Sequence, residues 1–493
     1  MHHVDATFQD QVARGPDAPF LLYGSRTVSY GAVNALAGRA ADALQSAGPV
    51  KDRFIGLVAP NRLEYVVAWL AILRAGGRVV PLNPRLGPAE VAHVVADAHV
   101  PLVVHTPELD PKLGQPSSEL MDEDGARLAF TVVPAGMQGA PPSFPSRLDD
   151  VAVCIYTSGT TGRAKGALLT HAALLENAAM CASGLGSQPG MDCFVAVLPL
   201  FHAFASSACM LHAMVTGSRL LLIDQFQPQE VLSQMARRHA TVFLGVPAMF
   251  GVLASLDAPP IIPSWRLSVS GGAPLPSAIP TRFAEKFHMS IHEGDGPTEC
   301  GPATSVNPIG GVVKTGTIGL PLRGVTMRIA DDDLRELPDG TVGEIIVRSP
   351  SNFIGYLNQP EETARTLVDG WVRTGDLGMR DSDGYLSIVD RKKDMLLVGG
   401  LNVYPREVED YIGQHPAVAE VAVVGKPDGI RGEIPAACVV LRPDRALTLP
   451  DLRAFLRTRI AAYKIPRVLT VLDALPRNAT GKVLKTVLRG SFH

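Results

Sequence analysis

Apolar and polar segments follow one another in a regular order along the first 150 residues. Short apolar runs read FIGLVAP, RVVPLN and PLVVHT, and helical segments such as YGAVNALAGRAADALQ and EYVVAWLAILRAGG lie beside them. Strand-like runs that alternate with helical ones are typical of an α/β sheet covered by helices. The polar segment PPSFPSRLDD, at 141–150, is predicted to be a solvated connector.

The next part of the chain predicts the order strand, loop, strand, helix. The apolar run VAVCIY is followed by YTSGTTGRAKG, by the short apolar stretch GALLT and by HAALLENAAM. We expect VAVCIY to be a fully buried strand, GALLT a second strand, and Thr170 the cap of the helix. The loop therefore joins two strands, whereas the P-loop of kinases and GTPases enters its helix directly.

The pattern changes in the last third of the chain. TVFLGVP and LSVSGGAP still continue the α/β pattern, but from about residue 312 short strands and turns predict a small β-rich subdomain. Residues 391–493 hold 17 Lys and Arg against 10 Asp and Glu, a balance of +7, and the remainder holds 28 against 38, a balance of −10. A basic small domain beside an acidic large one suits closure over polyphosphate. An accidental imbalance of surface charge explains these numbers equally well.

Composition narrows the protein class. A length of 493 residues predicts more than one folding unit, and 46% hydrophobic with 19% charged residues is typical of a globular protein. The net charge of −3 gives no reason to expect nucleic acid as a partner. The six cysteines form no CxxC pair, which argues against a zinc site or disulfides and fits a reducing cytosol.

Neither a signal peptide nor a membrane span is predicted. The segment MHHVDATFQDQVARG carries acidic residues and lacks an apolar centre. Residues 194–218 contain no Asp, Glu, Lys or Arg and are long enough to span a bilayer. Because Pro199, His202, His212 and Gly217 interrupt this stretch, we favour a buried strand, a loop and a core helix. The expectation is a soluble, cytoplasmic protein.

The loop YTSGTTGRAKG has the composition of an anion-binding loop. Its glycines let the backbone approach an anion closely, and its hydroxyl and ammonium groups can donate to phosphate oxygens. The candidate contacts are Thr157, Ser158, Gly159, Thr160, Thr161, Gly162 and Lys165. A solvated loop lysine is the alternative for Lys165.

Five segments in order carry a resemblance to a known family. YTSGTTGRAKG, EGDGPTEC, WVRTGDLG, VDRKKDMLLVGGLNVYPREVE and PRNATGKVLK occur along nearly the whole chain. The series resembles the ANL superfamily of adenylate-forming enzymes, and the fourth segment is most similar to the fatty acyl-CoA synthetase branch. The resemblance implies a large N-terminal α/β domain, 1–390, with the β-rich subdomain, and a small mobile C-terminal α+β domain, 391–493.

The resemblance also implies a reaction in two steps. A carboxylate attacks the α-phosphorus of ATP, giving an acyl adenylate and pyrophosphate, and a thiol then displaces AMP. In the first step negative charge builds up on phosphoryl oxygens, so catalysis depends mainly on positioning and charge stabilisation. ATP, Mg²⁺ and coenzyme A are the implied cofactors and substrates, and the loop YTSGTTGRAKG is similar to the family's loop for the β- and γ-phosphates.

In the large domain the resemblance assigns roles around the acyl and phosphate groups. Thr298 matches a residue that reaches the α-phosphate, and Glu299 matches a ligand of Mg²⁺, a cation that prefers hard oxygen ligands. His202 corresponds to a residue near the acyl carbonyl, with a packed core histidine as an equal alternative. The turn that would contact adenine and the carboxylate begins at Gly271 and continues with Gly272, Ala273 and Pro274.

Further roles fall on the ribose and on the small domain. Asp376 would accept hydrogen bonds from the ribose hydroxyls with Arg391 as a donor; alternatively, Asp376 only stabilises its own Gly-flanked turn. Lys482 matches the catalytic lysine, a flexible point charge carried by the small domain. Lys393 falls at the hinge. The residues that would line the thiol tunnel are Gly399, Gly400 and Leu401, although a plain β-turn also explains the two glycines.

One residue departs from the family. Where the family usually has an aromatic residue that stacks on adenine, this chain has Asp295, in EGDGPTEC. A carboxylate cannot stack on a base, so the affinity for adenine, or the preference among bases, is in question. Pro297 also removes one backbone donor from this loop.

Two segments expected to lie near the acyl group indicate which acid the protein uses. The stretch AFASSACMLHAM has no acidic residue to pair with the ammonium group of an amino acid, so an amino acid substrate is disfavoured. TVFLGVPAMFGVL has no basic residue to pair with a second carboxylate on the substrate. A medium- or long-chain fatty acid is the first expectation and an aryl acid the second. The predicted wall of the acyl pocket is Phe243, Val246, Met249 and Phe250. Coenzyme A is the expected thiol, an acyl carrier protein is the alternative, and a homodimer is left open.

Two other function classes fit part of the sequence. A phosphotransferase would also use a phosphate loop, but the loop spacing and the remaining motifs oppose it. A catalytically weakened binding protein is motivated only by Asp295, and Lys482, Glu299, Asp376 and Arg391 oppose it.

Overall fold

The computed structural model describes residues 3–109, 118–121, 127–133, 151–158, 164–477 and 483–492. The chain divides into two compact units. Met1–Met327 with Val347–Arg373 forms the first unit, and Arg328–Ile346 with Thr374–His493 forms the second.

The first unit contains two large sheets. The nine-stranded sheet has the order Leu320–Pro321, Ser305–Val306, Ile291–Asp295, Leu267–Ser270, Val242–Gly245, Cys193–Ala196, Arg219–Leu222, Pro19–Tyr23, Arg26–Ser29. The eight-stranded sheet has the order Gly355–Tyr356, Ala164–Thr170, Val151–Ser158, Arg78–Pro81, Phe54–Val58, Leu102–His105, Arg127–Val132, Ser118–Met121.

The helices of the first unit cover these sheets. The α-helices are Val4–Arg14, Tyr30–Ala47, Leu63–Arg74, Pro88–Asp97, His171–Gly184, Ala203–Ala205, His212–Thr216, Pro228–Arg238, Pro247–Ser255, Ala278–Phe287 and Pro360–Thr366. Short 3₁₀ turns lie at Pro107–Leu109 and Thr298–Cys300, and Ser206–Leu211 is a π-helix. Three of the predicted strands, Phe54–Val58, Arg78–Pro81 and Leu102–His105, are parallel neighbours, so the α/β class is confirmed.

The segment on either side of the loop YTSGTTGRAKG folds as its pattern predicts. Val151–Ser158 pairs antiparallel with Ala164–Thr170, with Thr157 opposite Lys165. The helix begins only at His171, and the side chain of Thr170 accepts a hydrogen bond from the backbone N–H of Ala173. The loop therefore connects two strands of a hairpin, as expected.

The uncharged stretch 194–218 is also folded as expected. The strand Cys193–Ala196 leads into Ala203–Ala205, the π-helical turn Ser206–Leu211 and His212–Thr216, and most of these side chains are buried. Within the described ranges, no helix is long and apolar enough to cross a membrane.

Short strands follow in the later part of the chain. A five-stranded sheet has the order Thr326–Ala330, Gly343–Arg348, Trp371–Arg380, Leu367–Val368, and Leu386–Arg391 also pairs with Trp371–Arg380. This arrangement confirms the β-rich composition predicted after residue 312.

The C-terminal part of the second unit is α+β. Its sheet has the order Leu401–Val403, Leu396–Val398, Gly432–Leu441, Val418–Asp428, with Val468–Val471 also paired to Gly432–Leu441. The helices are Pro405–Gly413, Leu449–Leu456 and Lys485–Gly490, with a 3₁₀ turn at Ala462–Lys464. The side chain of Thr448 accepts from the N–H of Asp451, which fixes the start of Leu449–Leu456.

Candidate active site

A cavity opens in the first unit where parallel strands of the nine-stranded sheet end. The strands Val242–Gly245, Leu267–Ser270 and Ile291–Asp295 are parallel neighbours, and ligands of α/β proteins bind at the carboxyl ends of such strands. The cavity has a volume of about 600 Å³, including space open to solvent. Its lining comprises Cys181, Leu185, His202, Phe204, Ala208, Leu244, Val269, Ser270, Gly271, Gly272, Gly294, Asp295, Gly296, Thr298, Pro302, Ala303, Ser305, Val306 and Leu322.

The predicted glycine turn lies on this cavity. Gly271 packs so tightly that an added Cβ would lie 3.2 Å from the Phe204 ring and 3.4 Å from the carbonyl oxygen of Gly294. Ala273 and Pro274 continue the turn, and the N–H of Leu275 then donates to Glu293 Oε1 at 3.0 Å. The turn is therefore pinned to the next strand.

Two further predicted residues, His202 and Asp295, share the lining. His202 caps the helical turn Ala203–Ala205, and its Nδ1 accepts the N–H of Phe204 at 3.3 Å. A neutral imidazole that accepts at Nδ1 carries its proton on Nε2. Because His202 lines the cavity and is half-buried, it is not a packed core histidine.

Asp295 stands at the end of the strand Ile291–Asp295, between two glycines that packing requires. An added Cβ at Gly294 would lie 2.7 Å from the carbonyl oxygen of Ser305, and one at Gly296 would lie 1.8 Å from that of Pro302. The Asp295 carbonyl oxygen accepts from both the N–H and the hydroxyl of Thr304, each at 2.9 Å. The flanking glycines are thus explained by the neighbouring backbone, without reference to the side chain at 295.

The neighbouring residues Thr298 and Glu299 point to different surroundings. Both belong to the 3₁₀ turn Thr298–Cys300, and Thr298 lines the cavity. Glu299 Oε1 accepts a hydrogen bond of 2.7 Å from the hydroxyl of Tyr356. Burial, followed by the nearby Glu299 carboxylate, raises the pKa of Tyr356, so this phenol is protonated at neutral pH.

Lys165 is buried and not a solvated loop lysine. The residue is 4% exposed, its ammonium pairs with the Glu362 carboxylate, and Nζ lies 5.4 Å from the centre of the Tyr356 ring. Thr157, its partner across the hairpin, is half-buried. The predicted contacts Gly159, Thr160, Thr161, Gly162 and Lys482 lie outside the described residues, as does the side chain of Ser158.

In the second unit, Asp376 and Arg391 lie directly opposite each other on antiparallel strands. Arg391 Nε is 2.6 Å from Asp376 Oδ1, and the Asp376 side chain is 6% exposed while that of Arg391 is 41% exposed. Asp376 lies within the strand Trp371–Arg380.

The predicted hinge and tunnel residues also lie in the second unit. Lys393 is an exposed residue between the strands Leu386–Arg391 and Leu396–Val398. Gly399 and Gly400 form the two-residue turn before Leu401–Val403, with φ of +59° and +84°. Two-residue hairpin turns with positive φ at both positions strongly favour glycine. The β-turn alternative therefore accounts for both glycines, and Leu401 is 49% exposed.

The predicted wall of the acyl pocket needs a correction. Phe243 and Phe250 are fully buried in a core cluster with Trp265 and Phe283, and Met249 packs against it. Side chains alternate across a strand, so Leu244 faces the cavity when Phe243 faces the core. Of the predicted wall only Val246 lies near the lining, 3.8 Å from the position of a Cβ at Gly272.

Sequence reasoning missed several residues that the structure brings to the site. Cys181, Leu185 and Ala208 reach the cavity from helical segments, and period-two alternation in VFLG would have identified Leu244. Tyr356 and Glu362 contact the predicted Glu299 and Lys165 across 57 and 197 residues of sequence, a separation for which the sequence carries no local signal.

Two known protein families match most of the chain. The family described as "AMP-binding enzyme" matches residues 8–357, and "AMP-binding enzyme C-terminal domain" matches residues 407–482. A feruloyl-CoA synthase of Amycolatopsis is 35% identical over 495 residues, covering 97% of this chain and 96% of its own. A long-chain-fatty-acid–CoA ligase of Escherichia coli is 34% identical over 527 residues, covering 98% and 93%.

A solved structure gives the same likeness in three dimensions. The o-succinylbenzoate CoA synthetase of Bacillus subtilis, in complex with its acyl-adenylate intermediate, superposes with a TM-score of 0.85 at 28% identity. The match covers 98% of this chain and 97% of that one.

Proposed function

Because the chain belongs to the AMP-binding enzyme family, and is an ATP-dependent acyl- or aryl-CoA ligase that works through an acyl adenylate, we propose that its acid is an apolar monocarboxylate. A medium- or long-chain fatty acid is the first candidate. The observation that carries this proposal is the cavity lining, whose described residues include no lysine or arginine and only one carboxylate, Asp295. A second carboxylate on the substrate would have no cation to pair with there.

An aryl acid is the second candidate. The relatives named for feruloyl-CoA and for long-chain fatty acids are 35% and 34% identical to this chain, so identity does not separate them. The lining mixes aliphatic side chains with the ring of Phe204, and either kind of acid would bury apolar surface against it.

In the proposed first step the residues around the cavity position the acid and the nucleotide. The carboxylate of the acid attacks the α-phosphorus, beside the Thr298 hydroxyl and the His202 ring, and pyrophosphate leaves. The N–H that His202 carries on Nε2 can donate to the developing acyl phosphate oxygens. Lys165 and the hydroxyls of the phosphate loop would contact the β- and γ-phosphates, and Lys482 would neutralise the charge that develops.

The site also fits a divalent cation whose ligands would come partly from the protein and partly from the nucleotide. Glu299 is a hard oxygen donor next to Thr298, and the described residues contain no group of three or more His, Cys, Asp or Glu that could hold a metal alone. When bound there, Mg²⁺ would neutralise phosphate charge, with Glu299 as its protein ligand and phosphate oxygens as further ligands.

The ribose and the second step are assigned to the C-terminal part. Asp376 would accept from the ribose hydroxyls, with Arg391 beside it. We place the domain boundary at 390/391, with Lys393 as the hinge and Gly399, Gly400 and Leu401 along the path of the thiol. Coenzyme A is the proposed thiol, and a carrier protein with the same pantetheine arm is the alternative. A homodimer and a cytoplasmic location remain predictions.

The test is an acid panel read by pyrophosphate release, with and without coenzyme A. We expect fatty acids to give the fastest release, and thioester to form only with the thiol. Ala208→Leu, which fills the lining, should shift the preference to shorter acids, whereas Ala248→Leu, at an exposed position of Pro247–Ser255, should not. Fastest release with dicarboxylic or amino acids would contradict the proposal.

A further inference from the structure

Tyr356 connects two residues with proposed roles at the nucleotide, Glu299 at the cation and Lys165 at the phosphates. It lies in the short strand Gly355–Tyr356, which pairs with Ala164–Thr170 so that Tyr356 is opposite Ala167. Its hydroxyl donates to Glu299 Oε1 at 2.7 Å, and its ring lies 5.4 Å from the ammonium of Lys165. One aromatic side chain therefore contacts the predicted metal ligand and the predicted phosphate lysine.

The position of the ring is fixed from several directions. Tyr356 is 6% exposed, and its backbone N–H donates to the Thr363 hydroxyl at 2.8 Å. Phe353 packs edge-on against the ring, with centroids 4.9 Å apart and an angle of 71° between the planes. Because the ring of Tyr356 is fixed in this way, its hydroxyl donates from a fixed position and can orient the carboxylate of Glu299.

Glu299 gains most from such a partner. A glutamate has three side-chain torsions, and each free torsion lowers the fraction of time that its carboxylate spends in the orientation that binds a cation. A hydrogen bond to Oε1 fixes the orientation in which Oε2 is offered. Groups that orient a ligand in this way typically change metal affinity by about 10- to 100-fold when they are removed.

We propose that Tyr356 is a positioning residue for adenylation, whose phenol holds the Glu299 carboxylate in the orientation that binds the magnesium–nucleotide. The inference rests on the proposed function, since it needs Glu299 to be the ligand. It adds a residue that acts through Glu299 and does not itself contact the reacting atoms.

The inference is tested by measuring ATP binding in the absence of the carboxylic acid substrate, so that no turnover occurs. The dissociation constant of ATP is measured by calorimetry with Mg²⁺ and again with a chelator. The value in chelator divided by the value with Mg²⁺ gives the coupling between cation and nucleotide. In Tyr356→Phe, which removes only the hydroxyl, this ratio should fall about 10-fold or more, while ATP binding in chelator stays within twofold. In turnover assays the Mg²⁺ concentration for half-maximal pyrophosphate release should rise by a similar factor.

Two further variants separate the possible results. Tyr23→Phe removes a phenol that also donates to a carboxylate, Asp224 at 3.3 Å, away from the cavity, and its ratio should equal that of the wild type. Glu299→Gln should lower the ratio at least as much as Tyr356→Phe. If Glu299→Gln leaves the ratio unchanged, the magnesium role in the proposed function is wrong, and the inference falls with it.

Other outcomes contradict the inference alone. If Glu299→Gln lowers the ratio and Tyr356→Phe does not, Glu299 binds the cation without help from the phenol. If Tyr356→Phe weakens ATP binding equally with Mg²⁺ and with chelator, Tyr356 only supports the local fold. A ratio that falls in Tyr356→Phe, with an unfolding temperature within a few degrees of that of Tyr23→Phe, supports positioning.

Discussion

Glu299 in the first unit and Asp376 in the second are both carboxylates assigned to the nucleotide, and they have opposite kinds of partner. Glu299 accepts from the neutral phenol of Tyr356, whereas Asp376 is paired with the guanidinium of Arg391 at 2.6 Å. A carboxylate oriented by a neutral donor keeps its full negative charge for a cation. A carboxylate already paired with a cation is better suited to accept hydrogen bonds from neutral hydroxyls. The partner of each carboxylate thus fits the role proposed for it, metal ligand for Glu299 and ribose acceptor for Asp376.

The comparison is tested most severely by Glu299→Gln. The substitution keeps the shape and removes the charge, so a role in binding the cation should be lost. We expect pyrophosphate release to fall about 10²- to 10³-fold, as when one charge-stabilising group is removed from an active site. The assay is repeated over a range of Mg²⁺ concentrations, and higher Mg²⁺ should restore part of the rate. A rate within threefold of the wild type would mean that the charge of Glu299 is not used.

Asp376→Asn should have the next largest effect. It replaces the buried partner of the ion pair with Arg391 and removes one acceptor for ribose. A buried polar group that loses its partner costs about 1–3 kcal/mol, or roughly 5- to 150-fold. ATP binding, measured by calorimetry, should weaken by about 10-fold within that range. The Mg²⁺ coupling ratio should stay the same, in contrast to Glu299→Gln. If the ratio fell as well, the two carboxylates would not have separate roles.

Asp295→Tyr examines a third carboxylate, which lines the cavity. A ring at this position can stack on adenine, and stacking on a base is worth about 1–3 kcal/mol in nucleic-acid sites. We expect ATP to bind about fivefold more tightly, the lower end of that range, because packing already explains Gly294 and Gly296. Asp295→Asn is the control for charge alone. If Asp295→Asn tightens ATP binding as much as Asp295→Tyr does, stacking is not the cause. Weaker ATP binding in Asp295→Tyr would show that Asp295 itself contributes to the nucleotide site.

Arg391→Gln should have the smallest effect of the four. The Arg391 side chain is 41% exposed, and partly exposed ion pairs contribute only about 0.2–1 kcal/mol. ATP binding should therefore weaken about two- to fivefold, and the difference from the wild type should shrink at high salt. A loss as large as that of Asp376→Asn, independent of salt, would show that Arg391 contacts the nucleotide directly.

Local signals explain what the sequence predicted correctly. The order strand, loop, strand, helix around residues 151–184 depends on neighbours in the chain, and Thr170 caps its helix within three residues. Matches to the family's motifs were sufficient to select His202, Asp295 and Thr298, which all line one cavity. The paired glycines at 399 and 400 satisfy a hairpin turn, so their presence alone carries no information about a thiol.

The remaining features depend on contacts between distant segments. Nothing near Glu299 in the chain indicates that a phenol 57 residues later will donate to it, and nothing near Lys165 indicates its pairing with the carboxylate of Glu362. The buried position of Lys165 follows from the packing of the segment 353–362 against its strand, which composition alone could not indicate.

The alternation of side chains in Val242–Gly245 has a practical consequence for changing the substrate range by directed evolution. A library that randomises Leu244, Ala208 and Leu185 samples new cavity shapes, because these side chains line the space. Randomising Phe243 instead removes a ring packed against Phe250 and Trp265, and deleting a buried phenylalanine typically costs about 3–5 kcal/mol. Most clones of that second library would be lost to misfolding before their choice of acid could be measured.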